Sequence, residues 1–255
     1  MTSIKKSIDS IFHIGVYSSS PMYKENRFLI SEAVEDFIHI MEFAKKHDAK
    51  VLLTSSSSIY NGNPIPWKED MRIVPIDFYT EARYAMERIA EVYNKLFGVR
   101  CVVLRLFSVY GPRERHKGKY ANLVSQFLWS IERGEQPIIF GDGTQTRDFI
   151  WVKDVVKAYM LAMENDITFD IFNVGTGKNH SLNELVEIIN KILGKNVKPK
   201  YVPNPIKNYV YHTLADTTKA EKFLGFKAKV GLEEGVRELV KLHNQTISNL
   251  GLNIE

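Results

Sequence analysis

The sequence predicts an α/β fold in two parts: an open parallel sheet built from β-α-β units, then a smaller α+β portion. Three observations carry this. Short apolar runs at 9–17, 50–55 and 100–107 alternate with helix-length segments at 28–46 and 78–97. Each of those segments repeats apolar residues at spacings of three and four, the mark of one buried helical face. Beyond Phe107 the regular alternation loosens into shorter pieces. Strands alternating with helices of such lengths argue for crossover units and a parallel sheet.

Taken in order, residues 9–17 read as a short buried strand, and 28–46 as a helix with Ile30, Ala33, Phe37, Ile40, Met41 and Ala44 on its buried face. Residues 50–55 are a strand through Val51, Leu52 and Leu53. Gly62, Pro64, Pro66 and Pro75 make 61–76 a loop. Asp77 is placed to cap a helix over 78–97 with the stripe Ala82, Met86, Ile89, Ala90, Tyr93 and Leu96, and Gly98 to end it. Residues 100–107 form the next strand. Helices follow at 120–132, 153–164, 181–193 and 231–247, with short strands near 137–140, 147–152, 169–174 and 199–202. The expected division is a sheet domain over 1–107, with strand 169–174 returning to it, and a second portion over 108–255 that closes over the sheet's carboxyl edge.

Composition narrows the class. At 255 residues, 44% hydrophobic and 25% charged, the chain has the make-up of an ordinary globular protein, which excludes disorder and collagen-like structure. No apolar run approaches the ~18 residues of a membrane span, and residues 1–15 lack the apolar core of a secretory signal. Cys101 is the single cysteine, so no intrachain disulfide forms and a cytoplasmic location is the simplest reading. The net charge is 34 − 30 = +4, with adjacent basic pairs at Lys5-Lys6 and Lys45-Lys46 and the densest basic stretch at Arg113, Arg115, Lys117 and Lys119. A nucleic-acid binder would carry a longer basic stripe. No metal site, nucleic-acid partner or membrane contact is expected.

Three local features carry chemistry. Thr54-Ser55-Ser56-Ser57-Ser58-Ile59-Tyr60 lies at the carboxyl end of a predicted strand, where open α/β sheets bind ligands; the plainer alternative is a hydroxyl-rich turn. In Tyr79-Thr80-Glu81-Ala82-Arg83, tyrosine and arginine four apart share a helix face. A phenol, with its pKa of ~10, is a poor base at neutral pH, and a fixed cation favours the phenolate. Its alternative is a buried aromatic beside a surface arginine. In Gly141-Asp142-Gly143-Thr144-Gln145-Thr146-Arg147-Asp148-Phe149, turn residues lead into a strand that begins with arginine, a side chain suited to phosphate. Its alternative is a hairpin with a surface ion pair.

In this order the three features, with Phe12-His13, Leu104 to Arg113, Phe172-Asn173-Val174-Gly175-Thr176-Gly177 and Leu214-Ala215-Asp216-Thr217, resemble the NAD-dependent epimerase/dehydratase family of extended short-chain dehydrogenases/reductases. The likeness runs from about Ile11 to about Val240 and is greatest to the UDP-glucose 4-epimerase branch. It implies a Rossmann-like sheet, NAD as cofactor and a UDP-sugar as substrate, within galactose metabolism. By carry-over, Tyr79 is the general base at the sugar's 4-hydroxyl, Ser56 hydrogen-bonds the same hydroxyl, and Arg83 stands at the family's lysine. Arginine is bulkier, planar and permanently protonated, so a weakened or differently aligned site is expected. Gly15, Val16, Tyr17, Thr54, Ser55, Tyr79, Arg83 and Phe107 fall at cofactor positions. Ser56, Ser108, Asn122, Phe140, Arg147 and Lys207 fall at substrate positions. Lys207 lies in Asn204-Pro205-Ile206-Lys207-Asn208, which replaces the family's Arg-Pro-Gly-Asp, and Ser108 replaces an asparagine. Phe140 is set against the nucleobase, with a core aromatic as its plainer reading. Ser57-Ser58 stands where the dehydratase branch has Asp-Glu, which argues against a 4,6-dehydratase.

The sequence contains no Gly-x-x-Gly-x-x-Gly segment and begins just before the family's fourth strand; Ala33 and Asp36 fall on the Asn and Gly of the family's Asn-Val-x-Gly-Thr. That makes the Rossmann-like part truncated and leaves strand 9–17 as an apolar edge open to pairing. Three explanations stand: a start placed too late, a fragment or degenerate paralogue, or a partner along that edge. The functional readings are accordingly a UDP-sugar 4-epimerase, a non-catalytic truncated paralogue that binds a nucleotide sugar or a protein, and, third, a small-carbonyl reductase. Family members dimerise through two helices per subunit, which implies a homodimer through 28–46 and 78–97; Leu29, Ile38 and Phe43 lie outside the first helix's main stripe.

Overall fold

A computed structural model describes residues 7–250; Lys5-Lys6 lies outside the described residues. The elements in order are β1 Ser10–His13, α1 Ser20–Glu25, α2 Leu29–His47, β2 Lys50–Ser56, α3 Phe78–Phe97, β3 Cys101–Leu106, β4 Ser108–Tyr110, α4 Leu123–Glu132, β5 Ile138–Phe140, β6 Thr146–Arg147, β7 Phe149–Trp151, α5 Val152–Glu164, β8 Phe169–Val174, β9 His180–Ser181, α6 Leu182–Leu193, β10 Lys200–Val202, α7 Thr218–Leu224 and α8 Leu232–Leu250. A 3-10 turn, Ser57–Tyr60, follows β2 and a second, Glu114–Tyr120, follows β4.

The chain forms two compact units. The first comprises Met1–Leu106, Val156–Val174 and Asp216–Phe226; the second comprises Phe107–Val155, Gly175–Ala215 and Lys227–Glu255. Most of α5 and all of α7 thus accompany β8 into the first unit, where the sequence reading returned the strand alone. The reason is packing: Ala158, Tyr159 and Ala162 bury the inner face of α5, and α7 lies along β8.

The first unit carries a parallel four-stranded sheet in the order β1-β2-β3-β8. β2 and β3 are central, and β2 is buried along its whole length. On one face Phe37, Met41, Met86 and Ala90 of α2 and α3 pack against Val51, Leu53, Cys101 and Val103. α3 has the ends its sequence announces. Asp77 accepts from Thr80 N at 2.8 Å, the Thr80 hydroxyl reaches back to Asp77 N, and Gly98 closes the helix at φ 70°, a left-handed position that glycine takes without penalty.

Several boundaries differ from expectation. β1 ends at His13 rather than at 17, because Ile14 N and Val16 N donate to Phe12 O and Ile14 O and so leave the ladder. α1, with Pro21 in its first turn, is an element the sequence reading does not contain. Leu29 is buried in the core rather than free on α2, and Leu96, expected in the buried stripe of α3, is exposed. The two sheet edges also differ. On β8 the outward amides of Ile171 and Asn173 are capped by the carboxylates of Asp170 and Glu69, both at 2.8 Å, a device that blocks strand addition. On β1, Phe12 and the following Ile14 are exposed.

In the second unit α4, α6 and α8 pack around Trp151, Phe149 and Ile139. Short two-stranded pairs, β4 with β7, β5 with β10 and β6 with β9, shape its loops. No helix among the described residues is long and apolar enough to cross a membrane.

Candidate active site

The amino end of α3 meets the carboxyl end of β2 within the first unit. Tyr79, Arg83 and Glu87 are spaced by four and occupy the buried face of α3. Arg83 is only 3% exposed, so the alternative of a surface arginine does not hold. Its Nη1 donates to Thr54 O at 2.8 Å and its Nη2 to Tyr17 O at 3.2 Å. The guanidinium lies 5.2 Å from the centre of the Tyr79 ring. Its Nε is buried without a partner.

The Tyr79 ring packs edge-on against Tyr23 of α1 at 5.6 Å, and the residue is 8% exposed. Its hydroxyl has no hydrogen bond to the described residues and is not among the buried unpartnered atoms. The oxygen is therefore not fully buried. Ser56 caps the 3-10 turn, accepting from Ser58 N at 3.2 Å, and that turn packs against α3. The Ser56 hydroxyl proton has no acceptor among the described residues.

The remaining cofactor candidates are placed as follows. Gly15 and Val16 sit in the bend after β1, and a side chain at Gly15 would meet nothing within 4 Å. Tyr17 donates to Glu32 at 3.1 Å while its carbonyl receives Arg83. Thr54 bonds the Tyr159 hydroxyl, and Ser55 donates to Glu87 at 2.5 Å. Both hydroxyls are engaged within the unit. Phe107 opens the second unit and is buried.

The substrate candidates apart from Ser56 belong to the second unit. Arg147 donates through Nη1 to Thr146 O at 2.8 Å and Tyr211 O at 3.0 Å and lies 5.3 Å from the Tyr209 ring centre. No carboxylate among the described residues pairs with it, and burial lowers its pKa. The alternative of a surface ion pair does not describe this site: the neighbouring Asp148 is fully buried and accepts from Thr176 and Gly177. Asn122 caps α4, its Oδ1 accepting from Val124 N at 3.0 Å and its Nδ2 donating to Val109 O at 2.9 Å. Ser108 starts β4, Phe140 ends β5 half-buried, and Lys207 is exposed.

Two buried residues in the surroundings of Arg83 have no role assigned from the sequence. Glu87 is one; its signal was its place one turn beyond Arg83 on the same face. His13 is the other. Its Nε2 is buried without a partner and its ring lies 5.3 Å from that of Phe37. Burial foremost, and then the Arg83 charge, lowers its pKa. In the unfolded chain a histidine titrates near about 6.5. Below that pH the unfolded chain takes up a proton that the folded protein resists, so stability falls as pH drops through this region. Thermal unfolding from pH 7.5 to 5 should show that decline, and His13→Phe should flatten it. An unchanged slope in the variant rules the assignment out.

Fold and site together define a Rossmann-like α/β protein whose helix-borne tyrosine and cation adjoin the carboxyl end of a central strand. The family model of the NAD dependent epimerase/dehydratase family matches residues 2–175, and the chain belongs to that family. It is an enzyme of the epimerase/dehydratase type. A UDP-glucuronate 4-epimerase of Thermodesulfobacterium geofontis is 32% identical over 246 residues, covering 94% of this chain and 74% of that protein. Among solved structures, the UDP-glucose 4-epimerase of Thermotoga maritima with UDP-glucose superposes with a TM-score of 0.88 at 32% identity, over 94% of this chain and 78% of that one. MoeE5 in complex with UDP-glucuronic acid and NAD gives 0.85 at 30% identity, over 94% and 81%.

Proposed function

We propose that this chain is a nucleotide-sugar 4-epimerase of the UDP-glucose/UDP-galactose kind, with Tyr79 as its base. The observation that carries the reading is the Tyr79 hydroxyl: unpartnered and not fully buried, on a residue only 8% exposed, with a guanidinium fixed beside it. Tyr79 takes the proton from the sugar's 4-hydroxyl and later returns it. Ser56 donates its free hydroxyl proton to the same oxygen and holds it in line. Arg83 holds a fixed positive charge 5.2 Å from the centre of the Tyr79 ring. NAD, when bound, supplies the acceptor and then the donor of the hydride at C4. The residues fit its nicotinamide-ribose end: the buried Arg83 Nε–H lacks an acceptor, which a ribose hydroxyl provides. In the second unit, the uncompensated Arg147 suits a diphosphate, with Lys207 as a second cation and Phe140 against the base. Ile38, Val92, Leu96 and Phe97 leave α2 and α3 with exposed apolar positions, which supports a homodimer through these helices.

The decisive experiment incubates the purified chain with NAD and UDP-glucose, UDP-galactose or UDP-glucuronic acid. Interconversion at C4 is expected, and its absence with all three sugars refutes the reading. One observation favours a second reading, a non-catalytic nucleotide-sugar binder: both Nη groups of Arg83 are engaged by the backbone of Thr54 and Tyr17. Calorimetry that shows UDP binding without NAD binding would select it.

A further inference from the structure

Ser56 lies between two side chains that are held by one buried ion pair. Glu87 on α3 and Arg105 on β3 meet at two points, Nε to Oε1 at 3.1 Å and Nη2 to Oε2 at 2.7 Å, and neither is more than 2% exposed. One residue before Ser56, the Ser55 hydroxyl donates to Glu87 Oε1 at 2.5 Å. Four residues after it, the Tyr60 hydroxyl accepts from Arg105 Nη1 at 2.7 Å and donates to Asn173 Oδ1 at 2.8 Å. The pair thus grips both flanks of the short segment that carries the Ser56 hydroxyl. Its carboxylate stands two helical turns beyond Tyr79 on the same face of α3.

We propose that Glu87 and Arg105 are positioning residues: through Ser55 and Tyr60 they fix the Ser56 hydroxyl relative to the helix that carries Tyr79. The proposal rests on the reading of Tyr79 and Ser56 as the proton-handling pair. A buried ion pair contributes little net stability over an apolar pair of the same shape, so stability alone does not account for this one. What it does provide is geometry. Two charged groups that satisfy each other and two flanking hydroxyls have a single arrangement in which every bond is made. Small errors in the placement of a reacting group are costly in rate.

The test uses variants that leave the ion pair itself intact. Ser55→Ala and Tyr60→Phe each remove one hydroxyl at nearly constant volume. With the full chain, NAD and UDP-glucose, the double variant should lose about 100-fold in kcat. KM for the sugar nucleotide should stay nearly constant, since ground-state binding is untouched. Ser55→Thr, which restores the hydroxyl, should restore kcat. Backbone hydrogen exchange should quicken at 56–61 in the double variant and stay unchanged over 79–90. An unchanged kcat, or a rise in KM alone, overturns the proposal. A wild-type chain without turnover sinks the epimerase reading instead, and exchange then decides: faster exchange at 56–61 sustains the bracket around Ser56, and unchanged exchange overturns it.

Discussion

Tyr79→Phe is expected to reduce epimerisation by about 100-fold or more while the fold and the affinity for UDP stay as they are. The two halves of that statement come from different atoms. The ring of Tyr79 packs against Tyr23 and beside the Arg83 guanidinium, and phenylalanine keeps both contacts. The hydroxyl bonds nothing in the described protein and is not fully buried, so no buried partner is orphaned by its loss. Substitutions of that kind change stability by about 0.5 kcal/mol or less. If the hydroxyl is the base at the 4-hydroxyl, its loss removes the proton acceptor and the rate falls. Turnover and thermal unfolding measured on one preparation separate the cases. A variant with full turnover removes Tyr79 from the mechanism. One that is inactive but melts many degrees lower shows that the ring, not the hydroxyl, was lost from the structure.

The parts of this arrangement differ in how openly the sequence shows them. α3 is legible nearly to the residue, because Asp77 and Gly98 are local signals and cap the helix at its two ends. β8 was legible as a short apolar run, and the structure sets it at Phe169–Val174 as expected. Other features depend on contacts far apart in the chain. Arg83 has two readings in the sequence, the family's lysine position and a surface cation, and what engages it in the structure is a pair of backbone carbonyls, one of them 66 residues away at Tyr17. Glu87 has no local signal that marks its partner, since Arg105 sits mid-strand, in a run otherwise apolar. β1 was read too long because Ile14 and Val16 continue its apolar character after the backbone has turned out of the ladder. The order of the motifs identified the family, but each motif alone had a plausible structural reading. At Ser55 the hydroxyl is held by Glu87, from within strand β2 rather than from a turn.

The largest effect on stability is expected at Asp148, beside Arg147 in the second unit. Its carboxylate is fully buried and accepts four hydrogen bonds: from Thr176 N at 2.8 Å, Thr176 Oγ1 at 2.7 Å, Gly177 N at 3.0 Å and Ala215 N at 3.1 Å. Its own amide donates to Thr213 Oγ1 at 3.0 Å and its carbonyl accepts from Ser108 N at 3.0 Å. One residue thereby joins β7 to the segments at 175–177 and 213–215. Gly175 is part of the same device, since a Cβ there would stand 2.6 Å from that of Ala215 and 2.8 Å from Asp148 Oδ2. Burial pushes the Asp148 carboxyl pKa up, and the four donors pull against that shift. No cation among the described residues pairs with it. Asp148→Ala leaves three backbone amides without an acceptor, at about 1–3 kcal/mol for each buried group that stays unpaired, while the Thr176 hydroxyl keeps Lys178 O at 3.0 Å as its acceptor. The variant also recovers the desolvation cost of the carboxylate, and water can enter part of the gap. The net loss should therefore be about 3–5 kcal/mol, below the simple sum. Asp148→Asn keeps one acceptor oxygen but turns an amide donor toward donors, so it should fall between wild type and alanine. Urea unfolding of the three proteins checks the order, and hydrogen exchange at Thr176, Gly177 and Ala215 checks the place. An alanine variant as stable as wild type would mean that the three segments are held by their packing, and that the carboxylate is replaceable where it lies.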